Sequence, residues 1–144
     1  QLFKIIPRSI VFIKKGIQIP LHGGGIARRS FIHIADVCNA TFKIMENAKC
    51  GEIYHISTDK LYSIKNIVEL ICQKMGADFN KVTKMTETRL GLDDAYILDS
   101  TKIRNEFKWE AQIDINKGVG EVIGWVDKSW SIISAEPMEY IHKK

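Results

Sequence analysis

Three consecutive glycines followed closely by two arginines form the segment of this sequence best suited to hold a ligand. Gly23, Gly24 and Gly25 adopt positive φ angles at no steric cost, so they permit a tight turn or a close approach of the backbone to a ligand. Arg29 precedes an alternating apolar segment, where its planar guanidinium group suits bidentate phosphate binding. On residue chemistry alone, a glycine hairpin with two solvated arginines is the simpler interpretation.

Two other patterns match cofactor or catalytic motifs but stand in unsuitable places. The spacing of Gly118, Gly120 and Gly124 is found in dinucleotide-binding turns, yet no buried strand precedes these glycines and no βαβ unit follows them. We therefore expect a helix packed closely through its glycines. Tyr140 and Lys144 have the spacing of a catalytic Tyr-Lys pair, but chain termini usually fray. The sequence therefore predicts no catalytic and no cofactor-binding residue.

The composition is that of one globular domain. The chain has 144 residues, of which 45% are hydrophobic, and a formal net charge of +4. Its basic residues occur as scattered pairs rather than as a stripe, so we expect no nucleic-acid partner. No run approaches the roughly 20 apolar residues that a membrane-spanning helix needs, so we expect no membrane partner either.

The cysteines indicate a reducing environment. The three cysteines cannot all pair with one another, and none has the spacing of a metal site. We expect Cys38 and Cys72 to be small core residues of helices. These features predict a cytoplasmic protein without a bound metal.

The order of elements predicts a helix-rich α/β or α+β domain with short strands. Strands are expected at IPLH, SFIHI and EIYHIS, because these segments alternate or are rich in β-branched residues. Hydrophobic periodicity and capping residues predict five helices. These are expected to begin near Pro7, Asp36, Ser63, Ser100 and Lys117, with Asp36 and Ser63 as caps and Gly16 at the end of the first helix.

The glycine segment also carries a family resemblance. The pattern P-x-x-G-x-G-x-x-x-R-x-F-x-x-x-x-D, from Pro20 to Asp36, resembles the nucleotide-sugar-binding part of extended short-chain dehydrogenases/reductases. That family includes dTDP-glucose 4,6-dehydratases and UDP-sugar epimerases, and the resemblance extends from Gln1 to about Trp130. It implies a nucleotide-sugar-binding portion over residues 1–130, a tail over residues 131–144, and a Rossmann-type portion that binds NAD upstream of Gln1.

The resemblance also assigns substrate-binding residues, each by its match to a family motif. Lys4 and Ile5 match the Lys and first aliphatic residue of a motif that meets the diphosphate, and Pro20 and His22 match a Pro-x-aromatic motif beside the base. Arg29 and Arg89 match two diphosphate-binding arginines, and His55 stands where the family commonly has Asn. His55 and His22 replace the usual Asn and Tyr, so base and sugar stay open.

The function implied by this resemblance is that of an NAD-dependent nucleotide-sugar 4,6-dehydratase, in which this portion binds the substrate's nucleoside diphosphate. A 4-epimerase of the same family is an alternative, and so is a stand-alone binding or interaction domain without catalysis. The resemblance further implies a homodimer for the complete enzyme and no NAD bound by this chain alone.

Overall fold

The structure, a computed structural model, describes residues 1–88, 91 and 93–137. Its helices are α1 Ile5–Lys15, α2 Ile34–Asn47, α3 Ile64–Met75, α4 Phe79–Val82, α5 Thr101–Phe107, α6 Ile115–Lys128 and α7 Trp130–Ile133. Its strands are β1 Ile19–His22, β2 Arg28–Ser30, β3 Leu61–Ser63, β4 Thr83–Thr86 and β5 Ala95–Tyr96. The predicted helix-rich α/β fold class is confirmed. No helix in the described part of the chain is long and apolar enough to cross a membrane.

The strands of the described residues form two small sheets. β1 and β4 pair in parallel, with Ile19 opposite Thr83. β2 lies between β3 and β5, antiparallel to β3 and parallel to β5, with Arg29 opposite both Tyr62 and Tyr96. Gly23–Gly25 form a short 3-10 turn between β1 and β2 and so connect the two sheets.

The largest core lies between α1, α3, α6 and α7. Its buried members are Ile10, Val11, Ile67, Ile71, Val119, Val126 and Ile133. A second cluster joins α1 and α3 to β1 through Phe12, Val68, Cys72, Ile19 and Leu21. A third, smaller cluster contains Ala40, Ile103 and Trp109. Because α1 contributes to the first two clusters, its position fixes β1 relative to the helices.

Helix ends with strong local signals lie where the sequence predicts them. Gly16 ends α1 in the left-handed region at φ 67°. Ser63 starts α3 with a capping box, in which its side chain accepts from the N–H of Asn66 and the Asn66 side chain accepts from the N–H of Ser63. Gly118, Gly120 and Gly124 lie within α6, as expected, but the close packing expected of them is not found in the described structure. A Cβ atom at Gly118 would make an ordinary contact of 3.5 Å with His33, and one at either of the other two would have no neighbour within 4 Å.

Two strand predictions are wrong in part or whole. The strand expected at SFIHI is β2, which ends at Ser30, and α2 begins four residues later at Ile34. The segment EIYHIS, residues 52–57, belongs to no strand, because no neighbour within the described residues forms a ladder with it. Its alternating pattern is therefore a local preference without a pairing partner.

Asp36 does not cap α2, contrary to the prediction. His33 occupies the N-cap position and its Nδ1 accepts a hydrogen bond from the N–H of Ala35. The Asp36 carboxylate is buried and accepts from the backbone N–H groups of Gln112 and Ile113, at 3.1 and 3.0 Å. Asp36 therefore connects α2 to the segment that precedes α6.

The two cysteines expected in the core differ in burial. Cys72 is buried, and burial raises the pKa of its thiol. Cys38 is exposed, because it lies on the outer side of α2. The prediction is therefore confirmed for Cys72 and wrong for Cys38.

Replacing Ile71 with Ala should lower the free energy of unfolding by about 2–5 kcal/mol, because Ile71 is fully buried in the largest core. Urea unfolding followed by circular dichroism measures this change. Ile53 is 77% exposed, so Ile53→Ala is the matched control and should change stability by less than about 0.5 kcal/mol. Equal losses in both variants would contradict the described core.

Candidate functional site

One pocket brings together four of the seven residues that the resemblance assigns to substrate binding. It has a volume of about 270 Å³ and lies between α1, β1, the glycine turn and β2. Ile5, Pro20, His22 and Arg29 all line it. The other lining residues are Phe3, Arg8, Ser9, Ile19, Gly25, Ala27 and Ile64.

The local sequence explains why these side chains share a pocket. Ile5, Arg8 and Ser9 are spaced i, i+3 and i+4, so they lie on one face of α1. In β1, Leu21 is buried in the apolar core, whereas Pro20 and His22 are half-buried, as alternation along a strand requires. A helix face and a strand face thus meet at the pocket.

The glycine turn brings backbone close to the pocket. All three glycines have positive φ, between 56° and 71°. A Cβ atom at Gly25 would lie 3.0 Å from the backbone nitrogen of Lys65, and one at Gly23 would lie 2.6 Å from Thr88 Oγ1. The turn therefore requires glycine both for its backbone conformation and for its packing.

Arg29 is held in place by two backbone carbonyl groups. Its Nη1 donates to the Arg28 oxygen at 2.7 Å and its Nη2 donates to the Asp93 oxygen at 3.0 Å. Both acceptors are neutral, so the positive charge of the guanidinium group is not compensated by them. Arg29 is thus oriented while its charge stays available to an anion.

His22 is positioned through one ring nitrogen. Its Nδ1 lies 2.8 Å from Thr86 Oγ1 on β4 and 3.4 Å from the Glu87 carbonyl oxygen. Within the described part of the chain, Nε2 makes no hydrogen bond. The ring is therefore oriented by β4, and Nε2 is the nitrogen that can meet a ligand.

Sequence reasoning missed two polar residues of the pocket, Arg8 and Ser9. The guanidinium carbon of Arg8 lies 4.8 Å from the centroid of the Phe12 ring. Arg8 Nε and Ser9 Oγ are buried, and neither has a hydrogen-bond partner among the residues described. The signal was available in the sequence, since both residues share a helix face with Ile5.

The charge of this pocket separates it from the other two. Among the described residues that line it there are two arginines and no carboxylate. A second pocket of about 300 Å³ also holds an arginine, Arg104, but Arg104 pairs with Asp59 there. The third, of about 260 Å³, is mostly apolar, and its His33 pairs with Glu121. The first pocket is therefore the one suited to an anion.

Two predicted site residues, Lys4 and His55, do not line the pocket, and a third lies outside the described residues. Lys4 is exposed at the N-cap of α1, with its Nζ 5.4 Å from the ring centroid of Phe3, which does line it. His55 is exposed, on the segment that follows α2. Its neighbour Tyr54 donates to Glu106, a contact that raises the pKa of Tyr54 to about 12. Arg89 lies outside the described residues, so its role stays a prediction.

One of the two patterns that match cofactor or catalytic motifs lies in a described element. The glycines that resemble a dinucleotide-binding motif lie inside α6, so they form no turn between a strand and a helix. Tyr140 and Lys144 lie outside the described residues. No group of three or more His, Cys, Asp and Glu side chains is arranged to hold a metal ion within the described ranges. The first pocket itself is lined by cationic, polar and apolar side chains.

Comparison with known proteins identifies the family. A family model described as GDP-mannose 4,6 dehydratase matches residues 2–122. The dTDP-glucose 4,6-dehydratase of Streptomyces griseus is 31% identical over 129 residues, which cover 88% of this chain and 39% of that protein. The chain thus spans about two fifths of the length of the curated dTDP-glucose 4,6-dehydratases it matches.

Solved structures agree with this match. DesIV, a dTDP-glucose 4,6-dehydratase from Streptomyces venezuelae solved with NAD bound, is 25% identical with a TM-score of 0.87, covering 96% of this chain and 42% of that one. The UDP-glucose 4-epimerase of Thermotoga maritima, solved with UDP-glucose, shares the fold at a TM-score of 0.80 and 20% identity, covering 88% of this chain and 40% of that one. The chain belongs to the dehydratase-like extended short-chain dehydrogenase/reductase family.

Gly25→Ala and Gly24→Ala should separate packing from backbone strain in the turn. Both glycines have φ near 70°, so either substitution costs about 1 kcal/mol of strain. Of these two glycines, only Gly25 has close neighbours in the described structure, so Gly25→Ala should cost about 1–3 kcal/mol more from overpacking against Lys65. Urea unfolding of the two variants measures the difference. Equal losses would contradict the tight packing of this turn.

Proposed function

We propose that this chain forms the nucleotide-binding part of the substrate site in an NAD-dependent nucleotide-sugar 4,6-dehydratase. The observation that carries the proposal is the pocket in which Ile5, Pro20, His22 and Arg29 meet with no carboxylate among the described lining residues. A nucleoside diphosphate has a flat ring that suits apolar walls and a charged group that suits a guanidinium fork.

Arg29 is the residue proposed to bind the diphosphate. Its contacts with the carbonyl oxygens of Arg28 and Asp93 hold the guanidinium plane before a ligand arrives. A preoriented donor loses less side-chain entropy on binding, which favours affinity. Lys4 is proposed to add positive charge near the rim, beside Phe3, and Arg89 is proposed as a further diphosphate ligand.

The role of this portion in the reaction is positioning. In the family, the sugar C4 gives a hydride to NAD, after which dehydratases eliminate water and epimerases return the hydride to C4. The residues of the pocket hold the nucleoside diphosphate, so that the attached sugar reaches the reacting groups in a fixed orientation. NAD would be bound by a Rossmann-type portion of the complete enzyme.

The choice of dehydratase rests on the curated relatives, since the dTDP-glucose 4,6-dehydratase of Streptomyces griseus is 31% identical. The epimerase of Thermotoga maritima shares the fold, so a 4-epimerase is the second candidate. Cytoplasmic location, a homodimeric complete enzyme, and division of the chain into residues 1–130 and a tail of residues 131–144 belong to the same proposal.

Replacing Arg29 with Ala should weaken binding of dTDP or UDP by about 1.5–3 kcal/mol, the range for a hydrogen bond to a charged group. Isothermal titration calorimetry on the 144-residue chain measures the affinity. Arg29→Lys should recover part of the loss, because it restores the charge but not the planar fork.

Arg28→Ala is the matched control for this test. Arg28 precedes Arg29 on β2, but it is exposed and does not line the pocket. Its replacement should leave affinity nearly unchanged. If Arg28→Ala weakened binding as much as Arg29→Ala, the effect would be one of general charge, and the assignment of Arg29 would be wrong.

A further inference from the structure

Arg8 is a cation that the described structure leaves without a counter-charge. It forms no ion pair with any described residue, and its buried Nε has no hydrogen-bond partner there. Leaving a buried donor unpaired is unfavourable, because the group has lost its contacts with water. A ligand that accepts hydrogen bonds would remove this cost.

The environment of Arg8 differs from that of Arg29. The guanidinium carbon of Arg8 lies over the ring of Phe12, a buried member of the apolar cluster that includes Ile19 and Leu21. Arg29 instead contacts the backbone of β2 and of the loop before β5. Arg8 therefore lies against the apolar part of the pocket, where a flat ring fits better than a solvated diphosphate.

The polar groups at this place fit the edge of a particular class of base. The contact with Phe12 keeps the guanidinium group at this wall of the pocket, where its N–H groups are able to donate to a carbonyl oxygen. The Oγ of Ser9, which lines the same pocket, is buried, has no partner among the described residues and is able to accept from a ring N–H. A carbonyl oxygen next to a ring N–H occurs in uracil, thymine and guanine, whereas cytosine presents an amino group instead.

We propose that Arg8 is a specificity-determining residue, which donates a hydrogen bond to a carbonyl oxygen on the nucleobase and selects oxo-bases over cytosine. This inference rests on the proposed function, because it requires that the pocket bind a nucleotide. It assigns the two arginines of the pocket to different parts of one ligand: Arg8 to the base and Arg29 to the diphosphate.

Two ligand pairs test this assignment separately. UDP and CDP differ at position 4 of the base, whereas UDP and UMP differ by one phosphate. Calorimetric titration of the 144-residue chain should show UDP binding at least about tenfold more tightly than CDP, the scale of one hydrogen bond to a charged group. In Arg8→Met the affinity for UDP should be within about threefold of the affinity for CDP. The ratio of the affinities for UDP and UMP should stay as in the wild-type chain.

Arg29→Ala should give the converse result. The ratio of the affinities for UDP and UMP should become smaller, and the ratio of the affinities for UDP and CDP should not change. Arg8→Met keeps an unbranched stem over Phe12, so the packing is largely preserved. Arg8→Lys is the second variant, which keeps the charge but loses the planar fork and should also reduce the UDP/CDP ratio. Arg28→Met, on the exposed side of β2, is the control and should change neither ratio.

Each outcome decides the question. Equal affinities of the wild-type chain for UDP and CDP would overturn this inference alone. An unchanged ratio of these affinities in both Arg8→Met and Arg8→Lys would overturn it as well. If Arg8→Met bound UDP and UMP with equal affinity, Arg8 would be a phosphate ligand, which contradicts its assignment to the base. A wild-type chain that binds no nucleotide at all would instead refute the proposed function itself.

Discussion

The packing of α1 is the constraint on which the rest of the structure depends. Ile10 and Val11 are buried against α3 and α6, while Phe12 is buried against β1. Since the helix is fixed in two clusters at once, the face that carries Ile5, Arg8 and Ser9 cannot turn away from β1. The pocket is therefore a consequence of core packing, and its polar groups are held by elements that also stabilise the fold.

Uncompensated charge is the feature that turns this pocket into a candidate site. A buried or half-buried cation usually has an acidic partner, because desolvation of an isolated charge is costly. Arg104 follows this rule by pairing with Asp59. Arg8 and Arg29 do not follow it within the described residues, and each contacts only neutral groups. An anionic ligand with hydrogen-bond acceptors supplies what these arginines lack.

Features that depend on neighbouring residues could be predicted from the sequence better than features that depend on distant ones. Gly16 and Ser63 mark helix ends because their effects act within one turn, and both predictions are confirmed. The segment of residues 52–57 alternates like a strand, but a strand also needs a partner, and periodicity cannot supply one. The prediction for Asp36 is wrong because the N–H groups that its carboxylate binds, those of residues 112 and 113, lie far away in the sequence.

The same distinction between local and distant contacts holds for the candidate site. The family pattern named Ile5, Pro20, His22 and Arg29, which share one pocket, but it contained no information on Arg8, whose position follows from the placement of α1 against β1.

The most direct test of the central claim is a crystal structure of the chain with UDP or dTDP. We expect electron density for the nucleotide between Pro20 and Arg29, with the diphosphate on the guanidinium group of Arg29. Nucleotide density in the pocket around Arg104 and Asp59, or an empty first pocket at saturating ligand, would contradict the proposed site.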